Sequence, residues 1–286
     1  DLMKPKSKTL TYLGPEGTHS EQACIVYDSS ANRTPFPSIK NAVNAIVTGE
    51  AEECMAPIEN SLAGSVNETL DLLIFQKDIK IKCEIIIPIN HYLITKTQVA
   101  LNTIKHIYSH PQAIAQCKTY ISQNLPDAKI MASMSTAAAV KQMLASSKNE
   151  GAAIGTKRSA TLNNAVTIGE NIQDNKSNST RFVILSKEDH QLTGDDKTSI
   201  CFELKTDRPG ILYESLGELA SRSINLTKIE SRPTGESLGR YMFLIDLIGH
   251  RDEAKVKSAI NVLKQSSSMF KLFGSYPRFK MNEDQR

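Results

Sequence analysis

Short apolar runs alternate along the first part of the chain with stretches whose apolar residues recur every three or four positions. The runs read as strands and the stretches as helices. Leu10, Tyr12 and Leu13 form an opening strand, and a helix follows from about Glu21. Ile39, Val43, Ile46 and Val47 share one helical face. Cys54 to Ile58 reads as a strand, Val66 to Phe75 as a helix, and Ile79 to Thr95 as one or two long strands. Ile104 to Tyr108, Ile130-Met131 and Ala152 to Ile154 read as strands. Gln112 to Leu125 and Ala137 to Leu144 read as helices between them. The alternation predicts a largely parallel sheet with helices on both faces. The segment near Ile81 to Thr95 is placed to carry the chain into a second lobe, and the strand Phe182 to Leu185 to return it. The expectation is a two-lobed, hinged α/β domain with a cleft between the lobes.

At Lys187 to Lys197 charged residues and Gly194 replace the periodicity, which marks a linker. Beyond it come a strand at Ser199 to Leu204, the turn Asp207-Arg208-Pro209-Gly210, and a helix with Ile211, Leu212, Leu216, Leu219 and Ala220 on its apolar face. Strands at Asn225 to Glu230 and Tyr241 to Ile248 read as a hairpin joined through Gly235 and Gly239. A helix at Ala254 to Leu263 and a strand at Phe270 to Tyr276 complete a β-α-β-β-α-β order, the ferredoxin-like plan. The expected domains are residues 8–187 and 198–278, joined by a linker at 188–197.

The 286 residues are 40% hydrophobic and 23% charged, with a net charge of +3. That balance suits a globular protein and gives no case for nucleic acid or a membrane surface as partner. Asp1 to Lys8 has three lysines and no apolar segment behind them, unlike a signal peptide. Five unpaired-looking cysteines read as reduced core thiols of a cytoplasmic protein. No metal-ligand spacing and no nucleotide fingerprint is present, so no cofactor is expected.

Polar motifs recur where apolar runs end. Thr18 and Ser20, in Gly14-Pro15-Glu16-Gly17-Thr18-His19-Ser20, offer hydroxyls beside free N–H groups at a helix start. They could seat an anion or simply cap the helix. Glu59, Asn60 and Ser61 follow a strand, where open α/β sheets bind ligands. His110 stands before Pro111 and Gln112, as either a general acid or a turn residue. Ser135 and Thr136 form a further hydroxyl–helix junction. Thr180 and Arg181 stand at a loop–strand junction, where a hydroxyl donor and a guanidinium could meet one anionic ligand.

The motifs GPEGTHS, PIENS with Gly64, Val66, Thr69, Asp71 and Leu73, SHPQA with Gln116-Cys117, and Asn178-x-Thr180-Arg181-Phe182 resemble prephenate dehydratase, in that family's order. The last unit, with Asp207-Arg208-Pro209-Gly210 and Glu230-Ser231-Arg232-Pro233, resembles the family's ACT regulatory domain. The likeness runs from about residue 8 to residue 278. It departs at His19, where the family commonly has an aromatic residue, and at Ile211-Leu212 after Gly210. No apolar helical extension precedes residue 8, so a fused chorismate mutase module is not expected.

The resemblance implies a two-lobed, periplasmic-binding-protein-like α/β catalytic domain followed by an α+β ferredoxin-like ACT domain. It implies conversion of prephenate to phenylpyruvate with loss of water and carbon dioxide, in phenylalanine biosynthesis. Thr180 is then the residue essential for dehydration, with Glu59 as the alternative acid. Thr18, Ser20, Asn60, Ser61, Gln112, Ser135, Thr136 and Phe182 would contact substrate. Arg181 would clamp it or turn away into a structural salt bridge. L-Phenylalanine would act as effector at Gly210, Ile211, Leu212, Asn225, Leu226, Glu230, Ser231, Arg232 and Pro233, across a subunit interface of a homodimer or homotetramer. The rival readings are arogenate dehydratase, a non-catalytic amino-acid sensor and a periplasmic solute receptor.

Overall fold

The computed structural model describes residues 8–235 and 239–280. The first residues, 1–7, and the hairpin tip at 236–238 lie outside the described residues.

The first lobe begins with β1 (Thr9–Leu13), α1 (His19–Tyr27), β2 (Asn32–Phe36), α2 (Ile39–Thr48), β3 (Glu53–Asn60), the short β4 (Gly64–Ser65), α3 (Asn67–Phe75) and β5 (Lys80–Pro88). The second lobe holds β6 (Tyr92–Thr95), β7 (His106–Ser109), α4 (Pro111–Gln116), α5 (Lys118–Asn124), β8 (Lys129–Ala132), α6 (Thr136–Ala145), β9 (Gly151–Gly155), α7 (Lys157–Leu162) and β10 (Val166–Gly169). β11 (Ser179–Ser186) returns to the first lobe. The last unit comprises β12 (Asp196–Leu204), α8 (Ile211–Ala220), β13 (Leu226–Pro233), β14 (Tyr241–Ile248), α9 (Ala254–Ser266) and β15 (Ser267–Pro277). β12 thus opens two residues inside the segment expected as linker.

The first sheet is ordered β2-β1-β3-β11-β5 and the second β10-β6-β9-β7-β8. Both are mixed, which corrects the expectation of largely parallel sheets. β1 pairs parallel with β2 and β3, but β11 runs antiparallel between β3 and β5. The reason is the returning chain, which enters the first lobe from the cleft side and fills the place between β3 and β5. The helix expected over Gln112 to Leu125 is broken at Cys117 into α4 and α5. β2, α7 and β10 had no sequence expectation, being short and carrying little apolar periodicity.

Local chemistry sets the helix starts. Ser38 caps α2 by accepting the Asn41 N–H at 3.0 Å, and Gly49 ends that helix at φ 81°. Ile39, Ala42, Val43 and Ile46 then face the core.

Two crossings join the lobes, one between β5 and β6 and one between β10 and β11. They are tied to each other. Ile89 N–H donates to the Asn178 carbonyl at 2.9 Å, and Ile172 N–H to the His91 carbonyl at 3.0 Å. His91 N–H donates to Gln173 Oε1 at 2.8 Å. A latch lies elsewhere between the lobes. Thr156 Oγ donates to the Gly17 carbonyl at 2.5 Å, and Arg158 pairs with Glu21 at 3.0 Å.

The last sheet is ordered β13-β14-β12-β15, with α8 and α9 packed on one face. Its other face is not free. Cys201, Met242, Leu244, Phe273 and Tyr276 share one core with Cys54, Ala56, Ile81, Val183 and Leu185 of the first lobe. Gly274 permits the approach, since a Cβ there would lie well inside contact with the Ile81 carbonyl, at a φ of 148° that side chains rarely adopt. Gly274→Ala is therefore expected to cost at least about 2 kcal/mol of stability. Urea unfolding checks this through a lowered midpoint.

Candidate active site

A cleft of about 810 Å³ separates the lobes. The loop after β1 and the start of α1 contribute Thr18, His19 and Ser20. The ends of β3 and β11 contribute Asn60, Thr180 and Phe182. Across it stand Gln112 and Gln116 of α4, with Ser135 and Thr136 at the start of α6. His91 comes from the first crossing. Among the described residues no Lys, Arg, Asp or Glu lines the cleft. The amino ends of α1 and α6 both open on it, and helix amino ends favour negative charge.

The capping and ligand readings of the hydroxyls combine. Thr18 Oγ accepts the Glu21 N–H at 3.4 Å and Ser135 Oγ the Ala138 N–H at 3.0 Å, while both residues line the cleft. His110 caps α4, its Nδ1 accepting the Gln112 N–H at 3.2 Å.

A directed chain of side-chain hydrogen bonds runs along the crossings. Asn60 Oδ1 accepts the N–H groups of Leu62 and Ala63 at 3.0 and 2.9 Å, which fixes the orientation of the amide. Its Nδ2 therefore donates, to Asn178 Oδ1 and Thr180 Oγ1 at 2.9 Å each. Asn178 Nδ2 donates in turn to Gln116 Oε1 at 3.1 Å. The Thr180 oxygen is thus occupied as an acceptor, and no protein acceptor among the described residues takes its hydrogen. That hydrogen is free to point into the cleft.

Two expected substrate groups, Ser61 and Arg181, and the alternative acid Glu59 are not in the cleft. Adjacent strand residues point to opposite faces, so Arg181 and Glu59 lie on the far side from Thr180 and Asn60. Glu59 sits 3.6 Å from Arg181 and 3.5 Å from Lys228 of β13. Ser61 is tied to the start of β11, its Oγ accepting the Ser179 N–H at 3.0 Å. Arg181 is buried. It donates to Glu84 at 2.8 Å, to Asp246 at 2.6 Å and to the Tyr276 hydroxyl at 2.8 Å. Lys197 reaches Glu84 at 2.9 Å, and Ser199 Oγ donates to Asp246 at 2.6 Å. Burial works against the guanidinium's charge, but Tyr276, Asp246 and Glu84 outweigh it and raise its pKa. Burial likewise pushes the Asp246 carboxyl up, and Arg181, the Ser199 hydroxyl and Lys197 more than offset this, holding it below the usual range.

The proposed effector residues fall into separate places. Gly210, at φ 83°, starts α8, with Ile211 and Leu212 in its first turn. The loop before them leaves the end of β12 where Glu203 pairs with Met242, and Met242 with Arg232. Asn225 and Leu226 lie at the other end of the sheet, about 20 Å along β13. Glu230 and Arg232 face the first lobe, Glu230 accepting from Ser65 Oγ at 2.5 Å and Arg232 pairing with Asp71 at 2.8 Å. Ser231 and Pro233 are exposed.

His91 and Gln116 complete the cleft's polar wall, and Asn178, buried behind it, joins Gln116 to Asn60. Gln116 and Asn178 stood within recognised motifs, whereas no local signal marked His91.

Residues 10–190 match prephenate dehydratase and residues 199–265 the ACT domain. The chain belongs to the prephenate dehydratase family. It is 41% identical to the prephenate dehydratase of Methanocaldococcus jannaschii over 96% of this chain and 99% of that one. It is 37% identical to the bifunctional chorismate mutase/prephenate dehydratase of Aquifex aeolicus over 99% of this chain and 77% of the relative. Among solved structures, prephenate dehydratase from Arthrobacter aurescens in complex with L-Phe superposes with a TM-score of 0.87 at 37% identity, covering 94% of this chain and 90% of that one. GqqA, described as a novel type of quorum quenching acylase, superposes at 0.85 with 27% identity, over 95% and 98% of the two chains.

The family's active lobe and its ACT domain meet at Arg181 in this chain. Asp246→Asn should cost about 3 kcal/mol, by leaving a buried cation short of its partner. The carboxylate's lowered pKa means its contribution is present above the unfolded carboxyl range and lost as pH falls through the folded value. In thermal unfolding the gap between wild type and Asp246→Asn is therefore expected to be full near neutrality and to close toward acid pH.

Proposed function

We propose that the cleft binds prephenate and converts it to phenylpyruvate, with Thr180 as the hydrogen-bond donor to the departing ring hydroxyl. The orientation of that hydroxyl carries the reading. Asn60 donates to the Thr180 oxygen, which polarises the O–H and leaves its hydrogen for the substrate. Asn60 is the positioning residue and Thr180 the catalytic one.

Prephenate is a dianion on a non-aromatic ring. As the C–O bond breaks, the ring carboxylate leaves as carbon dioxide, and its C–C bonding pair completes the aromatic ring. The departing oxygen takes up one proton and leaves as water. A threonine is a weak acid, so its work is to stabilise charge on that oxygen as it develops. The amino ends of α1 and α6 supply dipoles for the carboxylates, each worth about 0.3–1 kcal/mol and up to about 2 where buried. Phe36 and Phe182 offer apolar walls to the ring.

An acyl-transfer reading would need an activated nucleophile. Among the described residues no cleft hydroxyl or thiol is hydrogen-bonded to an imidazole, and burial pushes the Cys117 thiol up to about 12. The dehydratase reading is the better supported.

The two lobes and paired crossings suit a periplasmic-binding-protein-like closure about the crossings, in a catalytic unit spanning 8–187 with the regulatory unit at 198–278. L-Phenylalanine is the proposed effector, at the Gly210–Leu212 end of the ACT sheet. Edge strand β13 would pair antiparallel with that of a second copy, bringing Asn225 and Leu226 of one copy to the Arg232 end of the other. A cytoplasmic homodimer or homotetramer follows from this reading. No described helix is long and apolar enough to cross a membrane.

The test is phenylpyruvate formation from prephenate, with arogenate in parallel, each with and without L-phenylalanine. Prephenate turnover altered by phenylalanine is expected; turnover of arogenate alone would move the substrate. Thr180→Ala should lower kcat by about 10²–10⁴-fold with the fold intact by circular dichroism. Asn60→Ala should lower kcat by about 10²-fold through loss of the polarising donor.

A further inference from the structure

Two imidazoles meet at the cleft wall. His19 opens α1 and His91 lies in the first crossing, their rings 5.9 Å apart and edge to face at 74°. His91 is 3% exposed. Its Nε2 lies 2.7 Å from Gln116 Oε1. That oxygen is an acceptor, since the Asn178 amide already donates to it. His91 therefore carries its hydrogen on Nε2, and Nδ1 keeps a lone pair. Nδ1 of His91 is buried without a protein partner among the described residues. Such groups cost about 1–3 kcal/mol each unless a ligand meets them.

Among the described residues no lysine or arginine lines the cleft beside these rings. Among the described residues, the titratable groups lining the cleft are these two histidines and His110, the cap of α4. Glu21, the nearest carboxylate along α1, is engaged by the Gly17 N–H at 2.6 Å and by Arg158 at 3.0 Å. Gln22 is the side chain facing His19 besides His91, and Gln116 is the one facing His91. A dianionic substrate thus meets helix dipoles and a pair of imidazoles.

We propose that His91, edge-on to His19, is the cationic seat for the carboxylate that remains on the product, and that it takes up its proton as that anion binds. This rests on the dehydratase reading and names a further specificity residue for it. Protonation at Nδ1 turns a lone pair into a charged donor while Nε2 keeps its bond to Gln116. The seat takes the pyruvyl carboxylate rather than the ring carboxylate. An ion pair on the leaving carboxylate would stabilise the ground state and slow its loss. One proton serves the pair, since a second would face a like charge across 5.9 Å.

The protonation states agree with this geometry. Burial, then the neighbouring His91, pulls His19 down to about 4, and burial lowers His91. Both are neutral near pH 7 until an anion arrives. The bound anion raises the imidazole pKa, so binding is strongest at low pH and weakens as pH rises toward the pKa in the complex.

Phenylpyruvate keeps the pyruvyl carboxylate and is not turned over, so it is the probe. Its binding to the full chain is measured by titration calorimetry in buffers of different ionisation enthalpy, beside KM for prephenate across pH. Uptake approaching one proton is expected near pH 7, and log(1/KM) should fall toward a slope of one per pH unit. His91→Asn should abolish the uptake, flatten that slope and raise KM about tenfold or more, with kcat changed less. His19→Phe should keep the uptake, since His19 stays neutral through that pH range and the proton goes to His91. Proton-neutral binding by a wild type that turns over prephenate would overturn the seat, as would uptake surviving in His91→Asn. Failed prephenate turnover with proton-coupled phenylpyruvate binding intact would fault the assigned reaction and support the seat.

Discussion

The structure depends on one buried ion cluster. Arg181 and Lys197 face Glu84 and Asp246 between the first lobe and the ACT sheet, two cations against two carboxylates. Such a cluster stabilises only when its geometry meets every charge. Here Tyr276 and Ser199 complete it. Ser199 gives its hydrogen to Asp246, so Tyr276 donates to Ser199 and accepts from Arg181. Apolar contacts could hold the same surfaces at many angles, whereas this network accepts one. It sets the orientation of the ACT sheet on β11, and with it the position of the strand that carries Thr180.

The pleat of β11 makes that position functional. Thr180 faces the cleft and Arg181 the ACT sheet, one residue apart on an interior strand paired on both edges. A shift of Asp246 or Tyr276 acts on Arg181 directly, and Arg181 cannot move without its neighbour. Lys228, Glu230 and Arg232 of β13 add polar contacts to Glu59, Ser65 and Asp71. An effector with different affinity for two arrangements of the ACT sheet therefore has a short route to the site. The shared core also means that removing residues 197–286 would expose Val183, Leu185 and Ile81. Loss of phenylalanine sensitivity in such a truncation would not isolate regulation from folding.

Much of this was legible in the sequence because the chemistry is local. Thr18 and Ser135 stand in hydroxyl motifs that announce helix starts, and the period of Ile39, Val43 and Ile46 announces a buried face. The β-α-β-β-α-β order announced the last unit. What the sequence did not yield is set by partners far along the chain. β11 is antiparallel because of where β3 and β5 lie. Arg181 turns away because Glu84, Asp246 and Tyr276 surround it, although alternation alone implies that Thr180 and Arg181 cannot share a ligand. Glu59 leaves the cleft by the same rule. His91 had no signal, since its role comes from Gln116 and His19, brought to it by the fold.

Cleft walls with no lysine or arginine among the described residues suit the chemistry proposed for them. Prephenate must lose a carboxylate, and a fixed guanidinium beside it would hold that carboxylate in place. Helix termini offer a weaker, diffuse attraction that lets carbon dioxide leave. The fixed charges near the cleft are instead spent on its frame. Glu21 accepts the Gly17 N–H and pairs with Arg158 of the other lobe, beside the Thr156–Gly17 bond. Gly17 stands at φ 86°, and a Cβ there would lie 3.0 Å from Ser159, so the two lobes touch through bare backbone. The latch closes over the amino end of α1 with its charges already matched, and the remaining N–H groups of that helix stay available to the ligand.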